Sequence, residues 1–187
     1  MPLSPLWISG LLWIGFVVYW SAAARGAAPA ASAESAASRQ LHSLLLNAAI
    51  VLGFLRFAPL DRRWLPERPW LAPAGLSLQL SGVALAVWAR RHLGRNWSGA
   101  VQTKVDHQLV RSGPYRRVRH PIYTGMLAMI AGTALVSGEW HGLLAVALMA
   151  GAYARKIPME EQRMRETFGA EWDAWRRHSW ALIPGLV

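Results

Sequence analysis

The chain has 187 residues, a net charge of +10, no cysteine, and 53% apolar residues gathered into blocks. The missing cysteine excludes disulfides, thiolate catalysis and cysteine metal sites. Apolar blocks of this length exclude an ordinary soluble domain, although the length would suit one. With basic residues set beside them, anionic headgroups rather than nucleic acid are the expected counter-charge.

In chain order, Leu6–Ala22, Leu41–Leu60 and Trp70–Trp88 each approach the run of about 20 mainly apolar residues that crosses a hydrocarbon layer of roughly 30 Å. No Lys or Arg precedes Arg25, so the first lacks the basic n-region of a signal peptide and reads as a retained helix. Residues 21–38, almost all Ala, Ser and Gly, form a low-complexity connection to which no chemistry is assigned. Ile122–Val136 and Trp140–Ala154 are shorter, with only Ser137-Gly138-Glu139 between them, and read as a tight helical hairpin. Gly75, Gly82, Gly132, Gly142 and Gly151 read as small residues that let membrane helices approach closely. Gly125 is singled out as the one that admits a ligand.

The predicted fold is therefore an all-α integral membrane protein of about five transmembrane helices. Arg90, Arg91, Arg95, Lys104, Arg111, Arg116, Arg117 and Arg119 lie between the third and fourth spans against the lone acid Asp106. The positive-inside rule sets this loop in the cytoplasm, with the N-terminus outside and the C-terminus cytoplasmic. The Ala-, Arg- and Trp-rich composition points to a bacterial inner membrane. Beyond the fifth span, Met164, Phe168, Trp172 and Trp175 recur at helical spacing within Glu160–His178. That stripe predicts a C-terminal amphipathic helix in the interface plane, interrupted near Gly169.

Two polar elements then face the same side. In the loop, Gly113-Pro114 marks a turn, and Pro121 suits a first helical turn whose free N–H groups would attract a carboxylate. Tyr123 taken alone reads as an interfacial anchor. At the far end of the hairpin, Arg155 and Lys156 taken alone read as snorkelling cations, and Glu160-Glu161 as a solvated acidic turn. The hairpin, however, returns residues 155–161 to the face that carries residues 115–123, so Arg, His, Tyr and Glu surround one cleft. The histidines at 92, 107, 120, 141 and 178 show no zinc spacing, and no phosphate loop is present, so no metal is expected.

The ordered set His107-Gln108-Leu109-Val110, Gly113-Pro114-Tyr115, Arg119-His120-Pro121-Ile122-Tyr123-x-Gly125, Glu160-Glu161 and Phe168-Gly169-x-x-Trp172 resembles the isoprenylcysteine carboxyl methyltransferase family, itself related to phospholipid methyltransferases. The resemblance covers about residues 70–185 and divides the chain into a two-helix region, 1–69, and a methyltransferase core, 70–187. It implies a membrane methyltransferase that takes S-adenosylmethionine, releases S-adenosylhomocysteine and methylates the carboxylate of a lipid-like or prenylated acceptor. Carried over by motif, the cofactor falls among Gln102, His107, Gln108, Leu109, Val110, Tyr115, His120, Pro121, Ile122, Tyr123 and Glu160. Arg155 and Lys156 take the acceptor-orienting role, Lys156 standing where the family often carries Arg. Glu161 is the group that would take a proton from an amine acceptor. An amine or phospholipid N-methyltransferase and an NADPH-dependent sterol-type reductase are the alternatives.

Overall fold

The computed structural model describes residues 3–24, 32–94, 97, 102–103 and 109–186, with the backbone alone at 32–33 and 102–103. Its helices are α1 (Pro5–Ala24), α2 (Ala36–Leu52), α3 (Leu71–Leu93), α4 (Pro121–Ser137), α5 (Trp140–Phe168) and α6 (Ala170–Arg176), with a short 3-10 turn at Gly113–Arg116. The only strands among the described residues are two-residue pieces, Ser32–Ala33 and Gln102–Thr103, paired antiparallel. The fold is all-helical in substance, as the apolar blocks predict.

Among the described residues, α1 and α3 are long and apolar enough to cross a membrane, and α4 is a shorter apolar helix. Large apolar side chains such as Trp7, Leu11, Ile14 and Val18 stay exposed along α1. Water would disfavour such a face, whereas lipid would not. Polar groups on these helices are instead turned inward: Gln79 donates to the Ser9 carbonyl at 3.0 Å, and Trp13 Nε1 donates to Thr133 Oγ1 at 3.0 Å.

The closest helix pair is α3 against α4. A Cβ on Gly82 would sit 2.4 Å from the Gly125 carbonyl oxygen, and one on Gly132 would sit 2.5 Å from that of Gly75. Backbone touches backbone at two points seven residues apart. This overturns the ligand-admitting role of Gly125, which is occupied by α3. Gly151 also departs from expectation, since nothing lies within 4 Å of its would-be Cβ.

Two boundaries differ from the sequence reading. The second apolar segment was expected at 41–60, but α2 starts earlier, with Ser35 Oγ capping Ser38 N–H, and ends at Gly53. Gly53 stands at the C-terminal cap and Pro59 lies beyond it, so the apolar run outlasts the helix. The second difference is that α5 does not stop at the membrane exit. It runs through Pro158 as one 29-residue helix, and Gly169, at φ 51°, then turns the chain into α6. The break near Gly169 is as expected, and the stripe of apolar residues turns toward the protein. Trp172 and Trp175 are buried against the helices.

The last segment folds back over the entrance of α4. Arg119 N–H donates to the Trp180 carbonyl at 2.8 Å and His120 N–H to the Ala181 carbonyl at 3.0 Å. Tail carbonyls thus take the two amides that precede this helix.

Candidate functional site

Where α4 and α5 converge, a cleft of about 460 Å³ opens between all six helices. Its apolar wall comes from α1 and α2, through Trp13, Phe16, Trp20, Leu46 and Ile50. Its polar wall comes from the hairpin, through His120, Tyr123, Glu160 and Arg163, and Trp172 and Trp175 of α6 close one side.

Tyr123 follows Pro121 on the first turn of α4 and points across to α5. Its hydroxyl donates to Glu160 Oε1 at 2.6 Å. Its ring stacks on His120, centroids 5.4 Å apart, and on Tyr153, centroids 4.2 Å apart. His120 Nδ1 stands 3.4 Å from Glu160 Oε2, and Nε2 stands 3.4 Å from Glu161 Oε1 without hydrogen-bond alignment. Glu161 also accepts from Arg119 Nε at 2.7 Å and pairs with Arg176 Nε at 3.2 Å. Two adjacent carboxylates are thus separated by function: Glu160 faces the cleft and Glu161 faces a guanidinium pair.

The electrostatics follow from these contacts. Burial alone would raise the Glu161 pKa, but the neighbouring His120 ring and the Arg119 guanidinium that donates to it bring it down to about 2. Burial likewise opposes a charge on His120, yet Glu160 and Glu161 together hold its pKa above the ordinary 6.5. Tyr115, on the 3-10 turn, is pushed up by burial and then by Glu160, so its phenol stays protonated. Glu161 is therefore an ionised, fully engaged carboxylate and a poor general base, contrary to its expected role with an amine acceptor.

Of the expected cofactor residues, Val110, Tyr115, His120, Ile122, Tyr123 and Glu160 line the cleft. Leu109 packs beside it as a half-buried side chain, and Pro121 is buried at the start of α4. His107 and Gln108 lie outside the described residues, as does the side chain of Gln102.

The expected acceptor cations lie elsewhere. Lys156 is 1% exposed and pairs with Glu34 Oε2 at 3.0 Å, and Arg155 donates to Ser38 Oγ. Neither lines the cleft. The four-residue step from Lys156 to Glu160 does put both on one helix face, but the Glu34 carboxylate captures the ammonium first. Glu34 comes from the connection judged empty of chemistry, which is a second correction. The cleft cation that sequence reasoning missed is Arg163, three residues after Glu160 and thus within one helical turn of it. His42 was also missed. It is nearly buried in the cleft wall, and its Nδ1 has no hydrogen-bond partner among the described residues, as with Trp175 Nε1.

A helical fold with lipid-compatible outer faces and a polar cluster at the mouth of an aromatic cleft defines a membrane-type site for a ligand with both polar and apolar parts. The phospholipid methyltransferase family model matches residues 70–171, more than half of the chain, and the chain belongs to that family. It is 26% identical over 131 residues to protein-S-isoprenylcysteine O-methyltransferase B of Arabidopsis thaliana, covering 68% of this chain and 64% of the plant protein. It is also 26% identical over 152 residues to a probable protein-S-isoprenylcysteine O-methyltransferase of Oryza sativa subsp. indica, covering 76% of this chain and 79% of that one. The cobalt-zinc-cadmium resistance protein CzcN of Cupriavidus metallidurans is 30% identical over 128 residues, covering 66% of this chain and 55% of that protein. Among solved structures, a eukaryotic intramembrane Ras methyltransferase, isoprenylcysteine carboxyl methyltransferase, shares the fold. The TM-score is 0.58 at 23% identity, over 78% of this chain and 53% of that one. The chain thus spans less than two thirds of the Arabidopsis relative and about half of the solved structure.

Proposed function

We propose that the chain is an S-adenosylmethionine-dependent methyltransferase acting on the carboxylate of a lipid-like, prenyl-type acceptor at the membrane interface. The observation that carries this reading is the Tyr123–Glu160–His120 cluster at an aromatic cleft, within the residues that the family model matches. The cleft fits the cofactor on its own chemistry. Glu160 offers an anion to an ammonium group, the Trp172 ring offers a face to a cation or a base, and the His42 and Trp175 nitrogens that have no partner among the described residues can meet an acceptor or donor.

When bound, S-adenosylmethionine supplies a methyl group on a positively charged sulfur. The chain's own part is binding and aim. Glu160, fixed by Tyr123 and His120, holds the cationic end; Arg163 orients an anionic acceptor; and the α1–α2 wall accepts its apolar body. A carboxylate acceptor is ionised at neutral pH and asks no base of the protein, in keeping with an engaged Glu161. Orienting two reactants contributes up to roughly 7–11 kcal/mol in favourable cases. In this reading α1–α5 all cross the membrane, the N-terminus lies outside and the C-terminus in the cytoplasm. Residues 70–187 hold the polar machinery, and 1–69 supply the lipid-facing half of the cleft.

S-Adenosylhomocysteine is expected to raise the melting temperature of the purified chain, and NADPH is not. Labelled S-adenosylmethionine is expected to transfer its methyl group to a prenylcysteine analogue as a base-labile ester. Label fixed instead in an amine-bearing phospholipid would replace this reading with N-methylation, and stabilisation by NADPH alone would replace it with reduction.

A further inference from the structure

Beside the polar cluster, and sharing Arg119 with the cleft, lies a second cavity of about 500 Å³. Four guanidinium groups line it: Arg119 from the strand-like segment before α4, Arg165 from α5, Arg176 from α6 and Arg177 just beyond. Two carboxylates offset them. Asp173 pairs with Arg165 Nε at 3.2 Å, and Glu161 pairs with both Arg119 and Arg176. Arg177 has no ion-pair partner among the described residues. Four cations against two anions leave a local excess of positive charge in a concave site, which is an arrangement that selects an anion carrying several oxygens.

The rest of the lining decides which anion. Trp180, Ala181 and Leu186 of the C-terminal tail complete the cavity. Trp180, Ile183 and Leu186 are 39%, 47% and 76% exposed. At Trp180 and Ala181 the backbone of this apolar rim is held to residues 117–120, just before α4. A free phosphate has no use for such a rim, whereas a lipid headgroup arrives with acyl chains attached. A zwitterionic headgroup would bring an ammonium into a site already rich in cations. We propose that this cavity binds the phosphate of an anionic phospholipid, with the tail packed along its chains.

The test uses the full chain in detergent, titrated with short-chain phosphatidylglycerol, short-chain phosphatidylcholine or inorganic phosphate, with melting temperature as the readout. Phosphatidylglycerol is expected to stabilise saturably and the other two are not. The substitutions Arg165→Gln and Arg177→Gln together are expected to raise its half-saturating concentration roughly thirtyfold, about fivefold for each basic residue removed. Arg119 and Arg176 are left intact because both hold Glu161. If the double variant does not yield a monodisperse protein, Arg177→Glu alone serves, since it breaks no pair and reverses one charge. An equal response to phosphatidylcholine, an equal response to inorganic phosphate, or an unchanged response in a folded variant would each overturn the assignment.

Discussion

Glu160 is the residue on which the cleft's polarity depends. Its carboxylate meets the Tyr123 hydroxyl at 2.6 Å and the His120 ring at 3.4 Å, and it faces the cavity rather than solvent. Glu160→Gln keeps the shape but removes the charge, so S-adenosylhomocysteine affinity is expected to fall at least tenfold, read by calorimetry. Tyr123→Phe removes one hydrogen bond to a charged group, a change of about 1.5–3 kcal/mol, and should weaken the same affinity less. An unchanged affinity in Glu160→Gln would remove the cofactor from this cluster. His120 gives the pH dependence. Its folded pKa lies above 6.5, so its pairing stabilises the fold fully below about pH 6.5 and loses that contribution as pH rises through the folded value. Glu161, held to about 2 from an ordinary 4.5, acts in the opposite sense: its contribution is present above about pH 4.5 and is lost as pH falls toward 2. The melting-temperature difference between wild type and His120→Gln should therefore be largest near pH 5–6 and shrink as the pH rises. A difference that grows with alkalinity contradicts the pairing.

At the scale of helices, the contact between α3 and α4 depends on glycine. Adding a methyl group at Gly82 or Gly125 places it 2.4 or 2.6 Å from the facing carbonyl oxygen, and in both cases that neighbour is backbone, which cannot turn aside. Gly82→Ala or Gly125→Ala should destabilise by about 1–3 kcal/mol, measured by thermal unfolding in detergent. Gly151→Ala meets nothing within 4 Å and should be neutral or stabilising by up to about 1 kcal/mol through helix propensity. Equal effects at the three positions would remove the close-approach argument. The helices and the α4–α5 hairpin were legible in the sequence because apolar blocks and a three-residue connection are local signals. The ends were not. The run at 41–60 is apolar past the end of its helix, and α5 is helical past the end of its apolar run, since hydropathy reports the surroundings of a segment and not its hydrogen bonds. Gly125 misled for a related reason: its neighbour is Gly82, and no local pattern names the partner of a glycine.

Across the whole molecule, the cleft needs the N-terminal third to be held against the hairpin, and the buried pair between Glu34 and Lys156 is one of the ties. The two residues are 2% and 1% exposed at the side chain, and Ser38 and Arg155 extend the contact. The motif side of the site was legible because Tyr123, His120 and Glu160 belong to one hairpin. This tie was not, because a lone acid in an Ala- and Ser-rich connection gives no hint of a partner 122 residues away. Such a pair is weak evidence of net stability, since desolvation offsets much of the attraction, but removing one partner strands a buried charge. Glu34→Ala should therefore destabilise by about 3–5 kcal/mol, with S-adenosylhomocysteine affinity weakened through the displaced α1–α2 wall. Glu34→Leu combined with Lys156→Met removes both charges and keeps most of the volume, so its melting temperature should recover most of that loss. Retained affinity in the double variant would assign Lys156 to holding the connection, as its burial implies. If the double variant is as stable as wild type but transfers no methyl group while still binding S-adenosylhomocysteine, Lys156 reaches the acceptor during turnover and the role drawn here for Arg163 passes to it.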